Sequence, residues 1–228
     1  MIYTAKTRYT NKSIANEYDE LRFKSWKGRI VDRLEKNCMI RGIIKLVGDK
    51  KDIILLDAPG GTGRLSNAML KEGYRVITID ISLPMLRQAQ IIHNLTNNSK
   101  FVGFVCCDLE HLPFQENSID IVMSLRIMGH LPQYVKKRVI DEFKKVCCSG
   151  IVIMFALDNI FLKIKRWIFG VTGIKPKPAM WFPLSHRKII AICINKGLNI
   201  IEHKDLIRFL TESRLYILRR NAQKMRRP

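Results

Sequence analysis

A chain of 228 residues with 47% hydrophobic side chains can bury a full core as one α/β domain, and it shows no internal repeat or low-complexity segment. Its net charge of +20 favours an anionic partner such as nucleic acid, a membrane surface or a phosphorylated or carboxylated small molecule, or else serves solubility alone. No apolar run approaches the length of a membrane span and the opening MIYTAKTRYTNK has no apolar centre. The expectation is a cytoplasmic protein, with peripheral contact at the inner membrane face left open.

In chain order, a polar arm precedes Ile30, Val31, Leu34, Cys38, Ile43, Ile44 and Val47, whose spacing predicts a helix closed by VGDKKD. Strand-like and helix-like runs then alternate: a strand at Ile53 to Leu56, a helix from Arg64, a strand at Val76 to Ile79, a helix from Pro84, and strands at Phe101 to Cys106 and Ile119 to Leu125. A helix from Pro132 carries Val135, Val139, Ile140, Phe143 and Val146 on one stripe, and a strand follows at Ile151 to Phe155. An irregular basic stretch runs to about Pro183, before a helix from His186 and closing strands near Leu198 to Ile201 and Leu215 to Leu218. This alternation predicts a doubly wound, Rossmann-like, mostly parallel seven-stranded sheet with helices on both faces. Ligands of such sheets bind outside the C-terminal strand ends, at the switch point beside the first strand.

The six cysteines, Cys38, Cys106, Cys107, Cys147, Cys148 and Cys193, include two adjacent pairs at ends of apolar runs. Strand neighbours point to opposite faces, so buried free thiols are expected, with no disulfide and no metal site.

The first strand ends in DAPGGTG, where glycines supply unusual dihedrals and let a ligand approach the main chain, while the following helix aims free N–H groups outward. Asp57, Asp80 and Asp108 end three successive strands and are expected to converge on one rim. Asp80 stands near the distance after the glycines at which an acid accepts from an adenosine ribose. The alternative is that each aspartate only caps the following helix. A dinucleotide would want Gly-x-Gly-x-x-Gly, but counting from Gly61 the third position is Ser66. The stretches DLEHLPF after the third strand and SIDIVMSLRIMGHL in the fourth tip the choice of cofactor.

At these residues the chain resembles the class I S-adenosylmethionine-dependent methyltransferases, in particular the small-molecule subgroup, from about Tyr18 to Arg219 and best over Ile53 to Leu131. DAPGGTG matches the family's Asp-x-Gly-x-Gly-x-Gly motif, with Pro59 in place of the first glycine. The resemblance implies S-adenosyl-L-methionine as cofactor. It places Asp57, Ala58, Pro59, Gly60, Gly61, Gly63 and Arg64 in the cofactor turn, with Gly61 and Gly63 facing the methionine moiety. It sets Asp80, Ile81 and Ser82 at the ribose and Met85 near the adenine. Asp108 and Leu109 would bracket the adenine, and Leu125 and Arg126 would stand beside the cofactor. Tyr18, in IANEYDELRF, would lid the site and Arg22 could meet a substrate carboxylate; the same segment reads equally as an exposed amphipathic helix.

The resemblance divides the chain into a helical arm or lid over 1–48, a cofactor-binding core over 49–158, a basic cap insertion over 159–184, a C-terminal helix with closing strands over 185–221, and a basic tail over 222–228. Methyl transfer from a sulfonium mainly needs nucleophile, methyl carbon and sulfur held in line. His130 is the candidate general base, needed only for an acceptor with a proton of high pKa, and reads otherwise as a structural hydrogen-bonding residue.

The insertion after the fifth strand, which in this family shapes the acceptor pocket, has no acid between Asp158 and Glu202 but carries Lys163, Lys165, Arg166, Lys175, Lys177, Arg187 and Lys188. With Ile160, Phe161, Ile164, Trp167 and Ile168 it suits an anionic membrane interface through 159–182, a pocket for an anionic acceptor touched by Trp167 and Trp181, or a cap helix with a solvated rim. The expected reaction is methylation of O, N or C on a small acceptor, anionic or lipid-linked. The alternatives are an RNA methyltransferase, which would want aromatic platforms among the basic residues, and a catalytically silent cofactor-binding module.

Overall fold

The computed structural model describes residues 24–158, 181–206 and 213–221. A 22-residue helix α1 (Trp26–Val47) opens it, capped by the Ser25 hydroxyl, which accepts from Gly28 N at 3.0 Å, and stopped by Gly48 at φ 69°. Then follow β1 (Ile54–Asp57), α2 (Arg64–Lys71), β2 (Arg75–Asp80), α3 (Leu83–His93), β3 (Phe101–Cys106) and β4 (Ile119–Ser124). The chain ends with α4 (Gln133–Val146), β5 (Cys147–Ala156), α5 (His186–Asn195), β6 (Leu198–Asp205) and β7 (Ser213–Arg220).

The strands form a seven-stranded sheet in the order β3-β2-β1-β4-β5-β7-β6. The first five pair in parallel, and β7 runs antiparallel between β5 and β6. Strand alternation sorts the core into two layers. On one face Leu55, Val76, Ile121 and Val152 meet Met39 and Ile43 of α1, Leu65 and Met69 of α2 and Ala89 of α3. On the other, Leu56, Val122 and Ile151 meet Val139, Ile140 and Phe143 of α4 and Ile189 of α5. The fold is therefore the doubly wound α/β sheet read from the alternation. The chain turns outward in opposite directions from β1 and β4, and the crevice between their C-terminal ends is the switch point.

Several details depart from the sequence reading. β5 begins at Cys147, four residues before the expected Ile151, because α4 passes into it without a loop. Ile30 and Ile44, read as part of the apolar stripe of α1, are exposed. The thiols are free, but only Cys38, Cys147 and Cys193 are buried; Cys106 lies on the edge strand β3 and, like Cys148, is exposed. Among the described residues no helix is long and apolar enough to cross a membrane, and no cluster of His, Cys, Asp or Glu could hold a metal.

Candidate active site

The turn after β1 is fastened from below. Ala58 N donates to Met123 O at 2.9 Å and Gly60 N to Ile79 O at 2.7 Å, tying it to β4 and β2. Proline at position 59 costs no hydrogen bond in a turn whose amides at 58 and 60 already hold it in place, and the Ala58–Pro59 peptide is cis. Gly61 then adopts φ 54°, a left-handed conformation that favours glycine, and a Cβ there would meet nothing within 4 Å. The backbone at Gly61 thus faces open space. Gly63, also left-handed, is the N-cap of α2 and brings no side chain to its first turn, so the N–H groups there are left to the backbone and whatever lies above.

Asp80, at the end of β2, accepts from Gly61 N at 2.9 Å through Oδ2 and from Ser82 N at 2.8 Å through Oδ1. The residue is 7% exposed, and burial pushes its pKa up to about 6 against the pull of those amides. With the Ile81 amide as a third backbone donor, the carboxylate retains about one of its four acceptor sites, so the acid can still accept from a ligand. Ser82 itself is buried, its hydroxyl accepting from Met85 N at 3.3 Å to cap α3.

Asp57 does not reach the rim. It is 1% exposed, beneath the turn, where Ser66 Oγ donates to its Oδ2 at 2.6 Å and itself meets Thr78 Oγ1 at 2.7 Å. Burial, with the nearby Asp80 charge adding to it, raises Asp57 to about 7. Its task is to hold the floor of the turn, which corrects the expectation of three acids on one rim. Ala58 is fully buried beside it. Asp108 is half-buried after β3, with Oδ1 accepting from Glu110 N at 3.1 Å, and the buried Met85, Leu109 and Leu125 supply apolar surface. Ile81 and Pro59 are partly exposed.

Both arginines are engaged by helix α1. Arg126, in a left-handed conformation at φ 62°, donates through Nε and Nη2 to Glu35 Oε2 at 3.0 and 2.7 Å. Arg64 Nη2 reaches the same oxygen at 3.2 Å, and its Nη1 pairs with Asp32. Helix α1 therefore clamps the start of α2 and the end of β4 through one buried carboxylate, 1% exposed. Glu35 and Asp32 were missed in the sequence reading. Two acids one turn apart on a helix look like a solvated face, and only the pattern Asp32, Glu35 and Met39 on one side could have drawn attention.

His130 ends a short 3₁₀ turn, Met128–His130, and its ring meets Trp181 edge-on, centroids 4.9 Å apart. Trp181 presses on Gly129, where a Cβ would come within 2.5 Å of the indole. Beside them a cavity of about 90 Å³ is lined by Val31, Glu35, Arg126, Gly129, Phe155 and Trp181, among others. So Trp181, Arg126 and Glu35 share one cavity, next to His130. Tyr18, Arg22 and Trp167 lie outside the described residues, as does all but the end of the basic segment 159–182.

The residues fit an adenosine-bearing methyl donor: an open left-handed glycine lies beside an acid with spare acceptor capacity, and Leu109 and Leu125 follow the ends of neighbouring strands. Comparison with known proteins agrees. A family model described as a methyltransferase domain matches residues 56–155. The chain is 32% identical over 114 residues to the malonyl-[acyl-carrier protein] O-methyltransferase of Hamiltonella defensa, covering 50% of this chain and 41% of that protein. It is 29% identical over 120 residues to the ubiquinone biosynthesis O-methyltransferase of Idiomarina loihiensis, covering 52% and 47%. The chain thus spans about half the length of the curated relatives it matches. Among solved structures, magnesium protoporphyrin IX methyltransferase from Synechocystis PCC 6803 with bound SAH superposes with a TM-score of 0.73 at 18% identity, over 92% of this chain and 98% of that one. That likeness is one of fold. The matched methyltransferase domain, the sheet order and the glycine turn thus agree with one another over residues 56–155, a little under half of the chain.

Proposed function

We propose that this protein transfers a methyl group from S-adenosylmethionine to an oxygen, nitrogen or carbon atom of a small acceptor, anionic or lipid-linked. The observation that carries the reading is the open backbone at Gly61 next to the Asp80 carboxylate, both at the switch point of the sheet. S-adenosylmethionine supplies, when bound, a methyl carbon already activated by its sulfonium.

The chain's own part is placement. Asp80 accepts from ribose hydroxyls while the Gly61 and Ser82 amides keep it oriented. Asp108 and Leu109, with Met85, take the base, and Gly61 leaves room for the amino-acid end, whereas Gly63, expected to face it too, is packed against Ala89 and Leu95. The small acceptor occupies the cavity between Val31, Phe155 and Trp181, whose walls are mostly apolar and whose polar end is Arg126 paired to Glu35. His130, at the Trp181 side, takes the proton of an acceptor that carries one. The 41% and 47% shares of the relatives named above leave the acceptor as part of this proposal. Both are O-methyltransferases, which puts oxygen first among the candidate acceptor atoms. A cytoplasmic location with peripheral contact on anionic lipid belongs to the same proposal, supported by the absence of any acid between Asp158 and Glu202.

Calorimetry with S-adenosylmethionine and with a nicotinamide dinucleotide, followed by transfer of a labelled methyl group to malonyl-coenzyme A, to a dihydroxybenzoate and to total RNA, tests the reading. Binding of the methyl donor with label on a small acceptor supports it. Binding of the dinucleotide alone, or label only on RNA, overturns it.

A further inference from the structure

Lys136 lies on α4 with 1% of its surface exposed, four residues before Ile140 and seven before Phe143 on the same buried stripe. Among the described residues no carboxylate meets it. Its ammonium donates to the main-chain carbonyl of Phe182, and burial alone pushes its pKa down to about 8. A cation enclosed with one neutral acceptor is costly, and a methionine of similar length would pack there more cheaply. Packing therefore does not account for it. Its position does.

The peptide it grips is the hinge of a short strap. Phe182 N donates to Gly129 O at 2.8 Å, so both polar groups of residue 182 are bound, one to the 3₁₀ turn and one to α4. Further along, Leu184 N donates to Ala156 O and Asp158 N to Leu184 O, each at 3.0 Å, which zips the strap onto the end of β5. Directly before Phe182 comes Trp181, whose indole lies on Gly129 with no room for a Cβ between them and lines the cavity together with Gly129 and Ala156.

We propose that Lys136 is a positioning residue that locks the Trp181–Leu184 strap from behind, so that Trp181 forms a fixed wall of the acceptor cavity and limits which acceptors fit. This rests on the reading of that cavity as the acceptor's place. The lock has no contact with the acceptor; it acts through the Phe182 peptide. Cutting it frees the wall while leaving the glycine turn and Asp80, on the far side of β4, as they are.

The test is Lys136→Met, which keeps the length and removes the donor, beside Lys136→Arg, which restores one, with Trp181→Phe as the spectroscopic blank. In Lys136→Met, Trp181 emission is expected to shift to the red and become several-fold more open to acrylamide. Hydrogen exchange at the Phe182 amide should quicken at least tenfold, with S-adenosylmethionine affinity within twofold of wild type. Lys136→Arg should bring both signals back. On malonyl-coenzyme A or dihydroxybenzoate, whichever is methylated, KM should rise about tenfold with kcat less changed. Gly129→Ala, which displaces the indole directly, should reproduce the KM effect and stands in if Lys136→Met fails to fold. Wild-type emission and exchange in Lys136→Met overturn the lock, as does a displaced indole in Gly129→Ala with unchanged KM. A wild-type protein that binds no S-adenosylmethionine overturns the methyltransferase reading instead, and emission with exchange still decides the lock.

Discussion

Glu35 accepts from both Nε and Nη2 of Arg126, across 91 residues of sequence, while sharing the same oxygen with Arg64. One carboxylate thus ties α1 to the two segments that frame the switch point. Removing its charge takes an anionic acceptor from two largely buried guanidinium groups, 14% and 18% exposed. Glu35→Gln is expected to lower unfolding stability by about 2–4 kcal/mol in urea titrations, more than a surface pair would. A loss under about 0.5 kcal/mol would show the clamp to be incidental.

Two neighbouring glycines should separate binding from folding. At Gly61 a Cβ meets nothing within 4 Å, whereas at Gly60 it would stand 2.2 Å from Thr78 Cγ2. Gly61→Ala should cost only about 1 kcal/mol of stability, from its left-handed backbone, yet weaken S-adenosylmethionine at least tenfold by filling the cradle. Gly60→Ala should lower the melting temperature first. Equal losses of stability in the two variants would contradict this division.

Asp80 predicts a pH dependence of binding. Ribose hydroxyls need the ionised acid as acceptor, and the acid takes up a proton near pH 6. Affinity for S-adenosylmethionine should therefore hold at neutral pH and fall as pH drops through about 6. Asp80→Asn should bind roughly tenfold to a hundredfold more weakly at pH 7.5 and lose the dependence. Calorimetry across this range decides it; a variant that keeps the wild-type slope refutes it.

Asp57 predicts a pH dependence of stability with the opposite practical sense. Its pKa rises on folding from 3.8 to about 7, so the folded state prefers the protonated acid. The stability it contributes is complete below about pH 4 and is lost as pH rises through 7. Asp57→Asn, which keeps the shape without the charge, should gain on the wild type steadily over that window, by a few kcal/mol at most at pH 8. Parallel unfolding curves for the two proteins at pH 5 and pH 8 would contradict it.

His130 stands against Trp181, which lines the cavity. With an acceptor that must lose a proton, His130→Asn should reduce turnover about a hundredfold at unchanged affinity for S-adenosylmethionine. A rate within threefold of wild type would assign the ring to packing.

Much of this was legible in the chain because it is local. The apolar run Ile53 to Leu56 ending in Asp-Ala-Pro-Gly-Gly, and the recurrence of strand, acid and helix after it, announce the sheet and its functional edge. What escaped depends on partners distant in sequence. Whether Asp57 and Asp80 differ in role is decided by Ser66 below one and Gly61 above the other, not by their own flanks. Glu35 and Lys136 read as ordinary polar positions until Arg126 and Phe182 are brought against them. Position 136 did carry a signal, since it falls in phase with Ile140 and Phe143 on a stripe otherwise apolar.

The two acids stacked around the glycine bend have a wider bearing. Asp57 and Asp80 repel each other within a nearly dry corner, so this pair adds more to stability in weak acid than at the neutral pH where a charged Asp80 is useful. Selection for heat resistance acting on this corner would favour amides in place of the acids, and would erode capture of the methyl donor with each such exchange. The tension between endurance and activity is confined to two side chains, which makes this protein a compact place to measure it.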